Sequence, residues 1–147
     1  MTVCKTSALD LKALQEIENS SFSSDHISAR QMRYHLKNPR AIFLVSKENN
    51  KATGYILALT HVQGYARIYS LAVSSDHRGK GYGRMLINSA IKKIEEKNIV
   101  KINLEVDQAD AKTISLYQSF GFEYVSVLPK YYADGRTAIK MSKVLNG

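Results

Sequence analysis

The sequence predicts a mixed α+β fold, a central, mostly antiparallel sheet of about seven strands with helices on both faces. Three observations point to it. Apolar periodicity switches between the strand and helix repeats in the order β-α-α-β-β-β-α-β-α-β-β. One strand-helix-strand step, from Tyr69 to Val106, is long enough for a right-handed parallel crossover. Turns at Glu48–Lys51 and Gln63–Gly64 are short enough to join consecutive antiparallel strands.

The elements can be justified in order. Thr2 to Thr6 reads as a short strand, with Cys4 expected as a packing residue. Ser7 and Asp10 form a capping-box pattern, with Asp in place of Glu, before a helix carrying Leu11, Leu14 and Ile17. Ser20 to Asp25 is expected as a loop. Ser28 with Gln31 is a second capping box; its helix, with Ile27, Met32, Tyr34 and Leu36 as the apolar set, ends before Pro39. Ala41–Ser46, Ala52–Thr60 and Tyr65–Val73 are three apolar strands in succession. A long helix follows, with Leu86, Ile87, Ala90, Ile91 and Ile94 at three- and four-residue steps to about Lys97. Lys101–Val106 alternates as a strand. Asp110 caps a helix with Ile114, Leu116, Tyr117 and Phe120, and Gly121 stops it. Phe122–Leu128 and Ala138–Lys143 are the last strands, joined by Pro129 to Arg136. No internal repeat or linker interrupts the pattern, so residues 1–147 read as one domain.

Composition narrows the class. Apolar content of 44% and charged content of 23% are those of a soluble globular chain, and no apolar run approaches a membrane span. A single cysteine excludes an intrachain disulfide, and the four histidines show no ligand spacing, so no metal is expected. These features suit a reducing cytoplasm. The net charge of +8 suits an anionic ligand. The basic residues are scattered over several elements without a run, so a polyanionic small molecule explains the charge without nucleic acid or a membrane.

The most informative stretch joins the Tyr65–Val73 strand to the long helix through Arg78-Gly79-Lys80-Gly81-Tyr82-Gly83-Arg84. Three glycines at alternate positions bare the backbone, and the helix N-terminus and flanking cations favour an anion. The chemistry suited is a phosphate, and a pyrophosphate above all. The spacing is neither the dinucleotide fingerprint nor a P-loop. Arg-x-x-Gly-x-Gly on Arg78, Gly81 and Gly83 resembles the acetyl-CoA-binding motif of the GNAT superfamily of N-acetyltransferases. Leu104-Glu105-Val106, Leu116-Tyr117-Gln118-Ser119-Phe120-Gly121-Phe122, Tyr131-Tyr132-Ala133-Asp134-Gly135-Arg136 and Ala138-Ile139-Lys140-Met141 are similar to the ribosomal-protein-alanine and related N-terminal acetyltransferases.

The resemblance implies a GNAT fold with a splayed parallel strand pair, and acetyl-CoA as co-substrate. Contacts to acetyl-CoA are implied for Leu71, Ala72, Val73, Arg78, Gly79, Lys80, Gly81, Tyr82, Gly83, Arg84, Asp110 and Tyr117. It also implies Glu105 as the base that deprotonates the amine, Tyr117 as the acid at the departing sulfur, and Tyr131 and Tyr132 as walls of an acceptor-peptide groove. From the residues alone, the alternatives are a solvated strand carboxylate for Glu105, a core tyrosine for Tyr117, and surface packing for the tyrosine pair. Where the subgroup carries Arg-x-Ser-Asn, this chain has Asp107-Gln108-Ala109-Asp110, and it has no tryptophan. The expected acceptor is a protein or peptide α-amine, handled by a monomer or homodimer. Asp107 and Asp110 keep a small polycation, such as a polyamine or amino sugar, as a rival. A non-catalytic acyl-CoA sensor and a basic nucleic-acid-binding module are the rivals from other classes.

Overall fold

The computed structural model describes residues 1–22 and 25–145. Its strands are β1 (Thr2–Lys5), β2 (Ala41–Glu48), β3 (Lys51–Thr60), β4 (Tyr65–Val73), β5 (Lys101–Asp107), β6 (Glu123–Leu128) and β7 (Ala138–Val144). Its helices are α1 (Leu11–Ser21), α2 (Ala29–Lys37), α3 (Tyr82–Glu95) and α4 (Ala111–Ser119). Among the described residues the strands form one seven-stranded sheet in the order β1-β2-β3-β4-β5-β7-β6. All neighbours are antiparallel except β4 and β5, which are parallel.

Local chemistry explains the boundaries. Asn49 and Asn50 both take positive φ in the two-residue β2–β3 turn, a conformation asparagine tolerates and right-twisted strands favour. In front of α1, the Asp10 carboxylate accepts from the Ser7 N–H at 2.9 Å. At α2, Ser28 and Gln31 exchange both capping-box bonds. Pro39 cannot continue that helix, which ends at Lys37.

Strand alternation divides the core into two layers. One face of the sheet presents Phe43, Val45, Tyr55, Leu57 and Ala72 to Leu14, Ile17 and Met32 of α1 and α2. The other presents Ile42, Leu44, Ile56, Ala58 and Ile68 to Leu86, Ile87, Ala90, Ile91 and Ile94 of α3. Each fully buried Leu or Ile contributes roughly 1.5–3 kcal/mol through its removal from water. Helix α3, the longest among the described residues, is thereby pinned across β2, β3 and β4, and the turn between β4 and α3 is held from both ends.

Three local expectations are corrected. Ser20 and Ser21 belong to α1 rather than to a loop; Ser23 and Ser24 lie outside the described residues. Cys4 is exposed, because β1 alternates and Val3 takes the packing side. Tyr34 also faces outward, and the apolar contacts of α2 come from Met32 and Leu36.

Candidate active site

The site begins where the parallel ladder stops. Strands β4 and β5 pair only from Tyr65 opposite Lys101 to Ile68 opposite Leu104. Beyond that register β4 runs on to Val73 and β5 to Asp107 without pairing to each other. Between the diverging strands lies a cleft of about 840 Å³, lined by Arg67, Leu71, Glu105, Tyr117, Tyr131 and Tyr132 among others. Four of the side chains expected from the sequence to carry the chemistry therefore meet in one place, although they come from three parts of the chain.

At one end of this region is the glycine-rich turn. Gly79 and Gly81 have φ of +77° and +90°, a region that L side chains rarely adopt. No atom lies within 4 Å of where a Cβ would stand at either position, so their backbone is open to a ligand. Gly81 is the N-cap of α3, and its carbonyl accepts the Met85 N–H at 3.0 Å. An open backbone at a helix N-terminus, flanked by Arg78, Lys80 and Arg84, is the arrangement a pyrophosphate fits. Gly83 differs: it lies within α3, and a Cβ there would meet Leu116 at 3.5 Å in ordinary contact. The Arg78 guanidinium donates to the Val73 carbonyl at 3.2 Å and to the Ser21 hydroxyl at 3.4 Å, tying the turn to α1. Arg84 lies over the Phe120 ring, 5.3 Å from its centroid. The side chains of Ala72 and Tyr82 are buried, which leaves their backbone as the part available to a ligand. His77 bonds Ser74 at 2.6 Å within the turn.

The opposite side of the cleft is polar and tightly paired. Arg67 Nε and Nη2 both lie 2.7 Å from Glu105 Oε1. Arg67 Nη2 also donates to the Tyr131 hydroxyl at 3.0 Å, and that hydroxyl lies 3.4 Å from Glu105 Oε1. Asp107 pairs with Arg136, which also bonds Asp134 at 2.7 Å and stacks over Tyr132 at 4.9 Å. Burial, with Asp107 and Tyr131 nearby, pushes the Tyr132 hydroxyl up to about 12. Burial and then Glu105 raise Tyr131 as well. Asp25 accepts the Ala133 N–H at 3.1 Å, joining the segment after α1 to the β6–β7 loop.

Tyr117 is set by the way α4 ends. Gly121 takes φ +92° and donates to the Gln118 carbonyl at 2.9 Å, while Phe122 N–H reaches back to the Tyr117 carbonyl at 3.2 Å. This is the Schellman pattern, and its usual apolar contact is made by Tyr117 and Phe122, 5.3 Å apart edge to face. The ring is 3% exposed, yet the residue lines the cleft. Burial, then the charge of Asp110, lifts its hydroxyl well above the ordinary tyrosine value, so it stays protonated. Asp110 itself accepts the Thr113 N–H at 3.1 Å as the cap of α4.

Sequence reasoning missed three contributors. Arg67 was not singled out, and nothing local in the sequence reveals that it reaches Glu105. Glu18 was not singled out either, and it is 1% exposed. Its carboxylate accepts the Ile27 N–H at 2.7 Å and the Tyr55 hydroxyl, and Tyr55 in turn bonds Ser70 at 2.9 Å. Arg136 was visible only as the end of a motif. Its pairing with Asp107 shows that the acid at that position has its own counter-ion.

Comparison with known proteins gives the same picture. The model of the acetyltransferase (GNAT) family matches residues 11–122. An N-alpha-acetyltransferase of Sulfurisphaera tokodaii is 32% identical over 123 residues, 76% of this chain and 74% of that protein. A Bacillus subtilis protein, provisionally named a ribosomal protein bS18-alanine N-acetyltransferase, is 31% identical over 93% of this chain and 91% of its own length. Among solved structures, the ribosomal-protein-S18-alanine N-acetyltransferase of Escherichia coli superposes with a TM-score of 0.87 at 25% identity, covering 99% of this chain and 96% of that one. With the family model spanning most of the chain, and the sheet, the splayed strands and the glycine turn in the arrangement its motif implies, the chain belongs to the acetyltransferase (GNAT) family.

Proposed function

We propose that this N-acetyltransferase moves the acetyl group of acetyl-CoA to the α-amine of a protein or peptide N-terminus. The observation that carries this reading is the single cleft at the β4–β5 splay. It has a phosphate-competent glycine turn beside it, Tyr117 in its wall, and Glu105, Tyr131 and Tyr132 together on one side. The relatives named for N-terminal α-amines and for a ribosomal protein's alanine support the choice of acceptor.

Residues 78–84 would hold the pyrophosphate through open backbone N–H groups and the cations beside them. Bound acetyl-CoA supplies an activated acyl carbon and leaves as a thiol. Glu105 takes the proton that the amine must shed before or as it attacks. Tyr117, kept protonated by its burial, donates to the departing sulfur. Tyr131 and Tyr132 line the acceptor side and present flat, amphipathic surface to the first residues of a peptide.

The pairing of charges weighs against a polycation. Glu105 has Arg67, Asp107 has Arg136, and Asp110 caps a helix. A polyamine would have to displace two arginines that are already in place, and it would meet their charge on arrival. The test is steady-state kinetics of Tyr131→Ala and Tyr132→Ala. Each should raise the KM for a peptide acceptor several-fold and leave the KM for acetyl-CoA unchanged, since uniform binding lost for one substrate shows in that substrate's KM. Equal changes in both KM values, or turnover of polyamines but not of peptides, would overturn the reading.

A further inference from the structure

We propose that Arg67 is a positioning residue for the reaction: it fixes Glu105 through one carboxylate oxygen and leaves the other for the acceptor amine. The proposal rests on the reading of Glu105 as the base.

The reasoning starts from where Glu105 lies. Leu104 is the last β5 residue paired with β4, so Glu105 is the first beyond the ladder. A side chain at the point of divergence loses the lateral neighbour that a paired strand would supply. Arg67 makes up for this from within the ladder. It stands opposite Asn103, two residues short of Glu105, and reaches forward along the strand direction. Two of its nitrogens converge on Oε1 at 2.7 Å. A planar guanidinium binding through two N–H groups fixes direction as well as distance, which a lysine ammonium cannot do.

Arg67 is itself fixed. Its guanidinium stacks on the Tyr69 ring at 5.0 Å and donates to the Tyr131 hydroxyl at 3.0 Å. Tyr131 in turn lies 3.4 Å from the same Oε1. Each of these hydrogen bonds and the ion pair to the carboxylate thus falls on Oε1. Among the described residues Oε2 has no hydrogen-bond partner, while the Glu105 side chain as a whole is only 13% exposed. The carboxylate is enclosed, held on one side and open on the other, as a group that accepts a proton from one direction should be. Lys140 stands opposite Glu105 on β7, and Asp107, paired with Arg136, is next on the same face. Arg67 provides the fork.

The experiment is a double-mutant cycle on kcat with Arg67→Gln and Glu105→Gln, with Arg67→Lys as a third variant and thermal melting of each. Arg67→Gln is expected to lower kcat roughly tenfold to a hundredfold, the scale of a misplaced reacting group, with the acetyl-CoA KM unchanged. Arg67→Lys, which keeps the charge but not the fork, should recover only part of that loss. In the Glu105→Gln background Arg67→Gln should cost nothing further, because a residue acting through another has no effect once that other is gone. Equal losses in both backgrounds, or full recovery by lysine, would overturn the positioning role while leaving Glu105 as the base. Full kcat in Glu105→Gln alone would remove the base role, and the proposal with it.

Discussion

Gly81 and Gly83 lie two residues apart in the same motif, and the structure predicts opposite stabilities for their alanine variants. Gly81 holds φ +90° at the N-cap of α3 with open space around it, so an added methyl meets no atom. The whole penalty is then backbone strain, about 1–2 kcal/mol for an L residue in the left-handed region. In a chain of this size that lowers Tm by roughly 3–8 °C. If the turn relaxes instead, its N–H groups turn away from the proposed pyrophosphate position and affinity for acetyl-CoA should fall. Gly83 has ordinary helical geometry, and its methyl would sit 3.5 Å from Leu116 and 4.0 Å from Val73. Alanine there should be neutral or should stabilise by up to about 0.5–1 kcal/mol, since glycine is a poor helix residue. Urea unfolding of both variants without ligand, with calorimetric titration of acetyl-CoA, separates the two effects. A Gly81→Ala protein with the wild-type midpoint and wild-type affinity would refute the reasoning, as would equal destabilisation by both substitutions.

Three further outcomes are expected. Tyr117→Phe keeps the ring against Phe122 and removes only the hydroxyl, so kcat should fall by roughly a hundredfold with little change in Tm; full kcat would make Tyr117 a core residue only. Glu18→Ala strands the Ile27 N–H and the Tyr55 hydroxyl inside the protein and should cost about 2–4 kcal/mol in urea unfolding; a loss under about 0.5 kcal/mol would contradict the buried network. Burial alone would raise the Asp10 carboxyl, but the Ser7 N–H and Lys47 outweigh it and hold it below the usual value. Its contribution to stability is therefore complete above the unfolded value, about 3.9, and disappears as pH falls through the folded one. Acid unfolding of Asp10→Asn should lack that component, and identical acid profiles would show that the pair contributes nothing.

The fold was legible because its signals are local. The α3 stripe, the two capping boxes, the Asn49-Asn50 turn and Gly121 each write their conformation into a few adjacent residues. The glycine turn was legible for the same reason. Glu105 and Tyr117 could be singled out only through family resemblance, since a strand carboxylate and a helical tyrosine have no local mark of chemistry. The contacts around Glu105 were not legible at all. Arg67 and Tyr131 reach it across 38 and 26 residues of sequence, Arg67 through the β4–β5 register and Tyr131 from the loop between β6 and β7. The same holds for Glu18 and Tyr55, 37 residues apart. Asp107 is a related case: taken alone it suggests a site for cations, and the arginine that pairs with it lies 29 residues further on.

The most direct test of the proposed activity is to incubate the purified protein with acetyl-CoA and a panel of acceptors, measure thiol release, and locate the product acetyl group by mass spectrometry. The panel should hold peptides with a free α-amine, the same peptides with that amine blocked, a polyamine and an amino sugar. Thiol release with the free peptides only, and a single acetyl group on the α-nitrogen, is the predicted result. Release with the blocked peptides or the small amines instead, or no release with any acceptor despite tight acetyl-CoA binding, would contradict it.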